Sequence, residues 1–423
     1  MDTVTVVEDL RFSAPLREAA PDRDYSTFLP VGDYVVCAKA DDPFVRPARA
    51  RLIWAANTAA ATTSLGIRTV LAGSTAGLTY KVENLAGAAA VKRRLEELYN
   101  VDPIFDLAVV NSDDVASSDD QRFTVPRAYP QSIFPRAALV HTRDPAVALA
   151  CHRRKIKYVL EYHDEDYQKQ FRNWPILFSG RSSCLAVVAI TERVRAALIE
   201  EGALPEKIIV LDSGVNSRTA LRRDEAAESW RHDLLGYDYQ KLVVYSGGMQ
   251  AERGIGDVLQ AAQRMPHVLF AFCGGHEGDL SQWVRVSTGM RLANVRLYGY
   301  LPHEVVCQLQ QAADILVLSR AANERASITS PLKFFEYLAS GTPIVSARIP
   351  ATGRFEAEGC AVDWYEAGRV DSLVEALVTS FSRFNRSQAP HQENMRIGLQ
   401  HSWEDRQKAL FDFIGSPNVK TTF

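Results

Sequence analysis

The chain has little cysteine, no long apolar run and almost no net charge, and each absence removes a class of protein. Its six cysteines, Cys37, Cys151, Cys184, Cys273, Cys307 and Cys360, stand far apart and mostly in apolar runs, with no C-x-x-C pair among 423 residues. That distribution fits reduced core thiols and speaks against a disulfide framework or a zinc site. No apolar run approaches the roughly 20 residues of a membrane span. The first residues, Met1 to Asp24, lack the charged start and apolar stretch of a signal peptide. A cytoplasmic protein is therefore expected, with room for a peripheral membrane contact. Lys plus Arg number 48 against 51 Asp plus Glu, a net charge of -3, which gives no support to nucleic-acid binding by bulk charge. The G-x-G-x-x-G fingerprint occurs nowhere, which counts against a dinucleotide dehydrogenase.

What is present is an alternation of short apolar runs and helical patterns. In the first half, strands are expected at 33–38, 68–72, 106–110, 137–141, 158–162, 185–190 and 207–211. Helices are expected between them, at Pro47 to Leu65, Gly87 to Tyr99, Pro145 to Arg154 and after the cap Thr191. Strand, helix, strand at this spacing is a parallel βαβ unit. Residues 1 to about 30 read as an extension on this domain, and Asn111 to about Pro135 as an acidic, exposed loop. A charged helical connector from Arg218 to Leu235 precedes a second start at Lys241 to Tyr245, and the pattern then repeats. The expected fold class is α/β, with two Rossmann-like doubly wound domains, residues 1–217 and 218–400, facing each other across a cleft. A last amphipathic helix, Trp403 to Ile414, lies within a segment, 401–423, expected to pack back toward the N-terminal domain.

The densest stretch for chemistry is Ser330-Pro331-Leu332-Lys333-Phe334-Phe335-Glu336-Tyr337 through Gly341-Thr342-Pro343. Ser330 suits an N-cap, Pro331 the first helical position, and Gly341 with Pro343 the stop. Leu332, Phe335, Leu338 and Ala339 share one face; Lys333, Glu336, Tyr337 and Ser340 share another, free for a ligand. Free backbone NH groups, the positive end of the helix dipole and Lys333 meet at the start, as a diphosphate requires, while Glu336 can accept from sugar hydroxyls. A nucleotide-sugar site is the expectation. Gly247-Gly248 to Arg253-Gly254, between a strand and a helix, is a second place where amides and a cation can meet phosphate. His141 and Arg143 begin a strand-exit loop and are candidate acceptor contacts. His163 stands at the end of another strand, beside Asp164 and Asp166; a lone histidine with adjacent acids is weak evidence for a metal, and no metal is assigned.

Four blocks in order, Tyr245 to Gly254, Val295 to Pro302, Ala312 to Ser319 and Ser330 to Pro343, resemble the donor-binding domain of retaining glycosyltransferases of the GT-B fold, family 4 type. The resemblance extends more weakly over Thr191-Glu192, Ser213 to Asn216 and Ser402 to Glu404. It implies a hexosyltransferase-like enzyme that moves a sugar, with retention, from a nucleoside-diphosphate sugar to a glycan, lipid or small-molecule acceptor. No cofactor or metal is implied. By the same resemblance Gly247, Gly248 and Arg253 form the first phosphate loop and Tyr300 meets the base. Ser330, Leu332 and Lys333 stand at the diphosphate, Glu336 holds the ribose, and His163 borders the reacting sugar carbon. Catalysis is thereby assigned to His163, Arg253 and Lys333. Two departures stand out: the family's first glutamate falls at Ile328, with Glu324 the only nearby acid to substitute, and the arginine of its first loop falls at Gly248. A sugar-nucleotide epimerase and a non-catalytic sugar-nucleotide-binding protein are the rival readings.

Overall fold

Two largely parallel sheets organise the protein. In this computed structural model the described residues are 5–7, 32–38, 50–74, 85–110, 115–116, 125–126, 129–163, 177, 183–321, 332–386 and 389–415. The chain divides into two compact units, Met1–Asp212 with Trp403–Phe423, and Ser213–Ser402.

The first unit contains β1 (Thr5–Val7), β2 (Asp33–Cys37), β3 (Thr69–Ser74), β4 (Asp106–Val110), β5 (Val115–Ala116), β6 (Val125–Pro126), β7 (Ala137–Thr142), β8 (Tyr158–Tyr162), β9 (Cys184–Ala189) and β10 (Ile208–Val210). Its helices are α1 (Ala50–Ser64), α2 (Leu85–Tyr99), α3 (Pro145–Arg153) and α4 (Glu192–Glu200). The sheet order is β1-β4-β3-β2-β7-β8-β9-β10, parallel except for β1. Strands β2, β8 and β9 are buried along their whole length, which is why they read as continuous apolar runs with no alternation. Helix starts follow the local chemistry. Thr191 Oγ1 accepts from Val194 N at 3.2 Å, and Asp144 accepts from Ala146 N at 2.9 Å ahead of Pro145.

Two expectations change here. Part of the N-terminal extension is strand: the β-branched residues of β1 pair antiparallel with β4 and cover that edge of the sheet. The loop expected to be exposed from 111 to 135 turns inward at its end, where Tyr129, Ile133 and Phe134 are buried. Three large apolar side chains in a short span outweigh the acidic character of the residues before them.

The second unit contains α5 (Asp224–Leu235), β11 (Lys241–Ser246), α6 (Ile255–Arg264), β12 (Val268–Cys273), α7 (Glu277–Gly289), β13 (Val295–Tyr298), α8 (His303–Ala312), β14 (Ile315–Leu318), α9 (Leu332–Ser340), β15 (Ile344–Ala347), α10 (Pro350–Gly353), β16 (Val362–Tyr365), α11 (Val370–Arg383) and α12 (Gln392–Gln400). Its order, β13-β12-β11-β14-β15-β16, is wholly parallel. Alternate residues of β11 feed two cores: Leu242 and Val244 join one, Val243 and Tyr245 the other. The order reverses between β11 and β14, the position where open α/β sheets bind ligands at strand carboxyl ends. The chain enters and leaves this unit side by side, for Val215 N donates to His401 O at 2.8 Å.

The last helix, α13 (Trp403–Ile414), belongs to the first unit. Phe411 meets the Tyr34 ring at 5.6 Å, and Arg406 Nε donates to Asp212 O at 2.8 Å. Among the described residues, no helix is long and apolar enough to cross a membrane.

Candidate active site

At the carboxyl end of β11 the chain turns on Gly247, whose N–H donates to Cys273 O at 2.9 Å. Gly274, after β12, is at φ 114, and a Cβ there would lie 2.2 Å from Gly247 O. Only glycine lets the two strand-end turns touch in this way. Tyr245 Oη donates to Gly248 O at 2.6 Å and holds the loop from below. Arg253 follows in a short 3-10 turn, with Nε 3.4 Å from Gln250 Oε1.

Helix α9 is fixed to the same strand end. Tyr337 Oη accepts from Ser246 N at 2.9 Å and donates to Ser246 O at 3.2 Å. The helix is enclosed more completely than its sequence suggests: Phe334 through Ser340 are all buried. Tyr337 and Ser340, expected on a ligand face, are structural instead. Ser340 Oγ donates to Tyr337 O and accepts from Thr342 N, closing the helix end. That leaves Lys333 and Glu336. Lys333 Nζ donates to Glu336 Oε2 at 2.7 Å, and His303 Nε2, from the start of α8, lies 3.2 Å from Glu336 Oε1. The Lys333 stem also passes the loop, its Cε 3.4 Å from the place a Gly247 Cβ would occupy.

Charge follows from this packing. Burial alone would raise the Glu336 carboxyl, but Lys333 and His303 hold it at about 2. Burial works against a charged His303, yet Cys307 and Glu336 beside it push the ring up to about 10. Lys333 is raised too, with burial opposed by the Glu336 charge and hydrogen bond. The triple therefore carries two positive charges and one negative at neutral pH. Each Glu336 oxygen keeps a free lone pair for a further donor such as a ribose hydroxyl. Because the folded His303 titrates above its unfolded range near 6.5, its stabilisation is complete below about pH 6.5 and is lost as pH climbs toward 10. The thermal midpoint is expected to fall across that window. In His303→Gln the fall flattens, as a pH series of melting curves would show.

The first unit holds a second cluster. Glu161, on β8, is buried with His163 Nε2 bonded to its Oε1 at 2.6 Å. His141 Nε2 lies 3.2 Å from Oε2, and Arg406 Nη2 lies 2.8 Å from Oε1. Tyr34 Oη bonds His141 Nδ1 at 2.6 Å. Side-chain exposure is 0% for His141, 1% for Glu161 and 4% for Arg406, against 19% for His163. His163 is thus the member of this group that meets solvent. Burial, then Arg143 nearby, brings its ring down to about 4, and burial lowers His141 as well. Burial favours the neutral form of both imidazoles, and His163 donates Nε2–H to a carboxylate held well below its ordinary range. Burial opposes that charge, and Arg406 and the two histidines prevail. His163 Nδ1 is left as an acceptor. The acceptor contact expected at His141 does not fit its position, because the side chain is fully enclosed and spent on Tyr34 and Glu161. Arg143 sits over the Trp54 ring at 5.7 Å.

Tyr300 lies just after β13 and is partly exposed; Leu332 opens α9. Ser330 and Glu324, with Ile328, fall outside the described residues. Sequence reasoning missed His303, Arg320, Glu161 and Arg406. The first signal available for Glu161 was an acid inside an apolar strand, two residues before a histidine, a costly placement unless paired.

Residues 240–382 match the family model described as Glycosyl transferases group 1, about the extent of the second unit's sheet. A sequence comparison with curated proteins gives no match. Solved structures similar over nearly the whole chain include the Anabaena protein HepE in complex with UDP-glucose, at TM-score 0.66 and 15% identity over 90% of this chain and 98% of that one. A glycosyltransferase from Rickettsia africae gives 0.64 and 15%, over 91% and 99%. Sucrose-phosphate synthase from Thermosynechococcus elongatus gives 0.63 and 13%, over 90% and 97%. The fold is GT-B. Within it, the Gly247 loop, Arg253 and the Lys333–Glu336–His303 triple belong to the unit that carries the family match, and the His163 cluster to the other GT-B unit.

Proposed function

We propose that the protein is a retaining glycosyltransferase that moves a sugar from a nucleoside-diphosphate sugar to a glycan, lipid or small-molecule acceptor. The observation that carries this is the surplus of positive charge at the reversal point of the second sheet. Arg253 follows the Gly247 loop, the Lys333 stem passes it, and His303 joins Lys333 on Glu336, their shared counter-ion. Support also comes from the group 1 match over these residues and from the UDP-glucose in the similar HepE structure.

Departure of the diphosphate concentrates negative charge on its oxygens. Cations already in place stabilise that charge without reorganising at the moment of reaction. Arg253 and Lys333 serve this purpose, and Glu336 accepts from the ribose. The leaving phosphate takes the acceptor's proton on the face from which it departs, so no carboxylate nucleophile is assigned. His163, neutral with Nδ1 free, accepts a hydrogen bond from a hydroxyl of the transferred sugar. No metal is assigned a role.

A melting-temperature panel with UDP, GDP, ADP and their sugars tests the donor assignment, since a ligand bound only by the folded state raises its midpoint. One nucleotide series is expected to give a rise of several degrees. NMR of the product then reads the anomeric configuration. No response to any of these nucleotides, or an inverted product, would overturn the corresponding half of the reading.

A further inference from the structure

Arg320 follows β14, directly across the sheet's reversal point from the Gly247 loop, which follows β11. The segment that carries it is tied to the Arg253 turn. Ser319 Oγ donates to Arg253 O at 2.7 Å, and Ala321 N donates to Glu252 O at 3.1 Å. Gly254, left-handed at φ 74, brings the two segments so close that a Cβ there would sit 3.0 Å from the Arg320 backbone. Arg320 is only 7% exposed, and among the described residues its guanidinium has no hydrogen bond or ion pair. A buried arginine ordinarily finds a carboxylate or sends its head to water. This one has a second arginine for a neighbour.

We propose that Arg320 is the second cation of the donor's diphosphate site, forming with Arg253 an arginine pair whose missing counter-ion is the ligand. The proposal rests on the nucleotide-sugar reading above. It also accounts for Gly248, the position where related sequences carry an arginine. There the charge arrives from β14 instead. The pair is electrostatically uncomfortable when empty. Burial, then repulsion from Arg253, brings Arg320 down to about 10, while Tyr245 and Glu252 offset this only in part. The Arg253 and Arg320 segments are bonded to each other, and the Lys333 stem passes the Gly247 loop on the neighbouring strand end. A diphosphate, with two separately charged phosphoryl groups, matches that array better than a single phosphate does.

Calorimetry with inorganic pyrophosphate, on wild type, Arg320→Gln and Arg320→Lys, tests the pair directly. Arg320→Gln is expected to bind pyrophosphate at least tenfold more weakly, with Arg320→Lys keeping most of the affinity. Melted without ligand, Arg320→Gln is expected to be a few degrees more stable than wild type, because the unpaired charge is gone. That gain separates a ligand-binding arginine from one that merely packs. Pyrophosphate affinity within threefold of wild type in Arg320→Gln overturns the proposal. Parallel titrations with UDP, GDP and ADP keep the two readings apart. Wild type that binds pyrophosphate through Arg320 but none of the nucleotides retires the donor assignment and leaves the arginine pair standing. Wild type that binds none of the four retires both.

Discussion

Glu161→Ala is expected to lower the melting temperature by on the order of 10 °C and to abolish most turnover. Among the described residues Glu161 is the carboxylate at the centre of its cluster, and Arg406, 4% exposed, depends on it. Removing one partner of a buried ion pair costs about 3–5 kcal/mol, because the remaining charge stays buried without compensation. At 2–4 °C per kcal/mol for a unit of this size, the shift follows. His163 also loses the acceptor that sets its tautomer, so it no longer presents Nδ1 reliably. Turnover should therefore fall in Glu161→Ala as in His163→Ala, while nucleotide affinity in the second unit changes little. The pair Glu161→Leu with Arg406→Met supplies the check. Removing both charges should recover much of the lost stability, and a double variant no more stable than either single change would show that the pair is not the cause.

Glu336→Ala is expected to weaken nucleotide binding at least tenfold and cost about 3 kcal/mol of stability, by the same logic of a buried pair broken from one side. Lys333 and His303 would then face each other without the carboxylate between them. The informative comparison is with inorganic pyrophosphate, which has no ribose. If Glu336 holds the ribose, nucleotide affinity falls while pyrophosphate affinity holds or rises, since two cations have lost their internal counter-ion. If both ligands weaken equally, Glu336 acts only by positioning Lys333. Calorimetry on the same preparation reads both.

The sheets were legible because their strands are apolar runs of fixed length between helical patterns, and parallel strands buried on both faces leave that mark. Strands β4 and β8 fall on the residues expected for them. Elements whose contact with the core is thin were not legible. Helix α7 buries only Trp283 and Ser287, and α12 only Asn394, Ile397 and Gly398, too few to show a stripe. Strand β16 was hidden by Asp363, an acid in its middle that the structure pairs with Arg383. For the site, local spacing revealed Lys333 and Glu336, three apart on one helix. It could not reveal His303, Arg320 or Arg406, which reach their partners across long stretches of chain. Tyr337 was misjudged for the same reason, its hydroxyl being taken up by Ser246 on a distant strand.

Arg406 carries one more consequence, which concerns the order in which the protein can be made. Its partners Glu161 and Asp212 lie in the first unit, yet it is synthesised only after all of residues 213–402. A chain emerging from the ribosome therefore completes a contiguous second unit before the first has its cation. Until then Glu161 is a carboxylate in an apolar strand with no charge partner, and it favours either protonation or an open structure that admits water. The first unit therefore lacks the cation of its buried carboxylate until α13 is delivered. The Glu161 and His163 carboxylate–imidazole pair gains its buried cation only after Arg406 has been made.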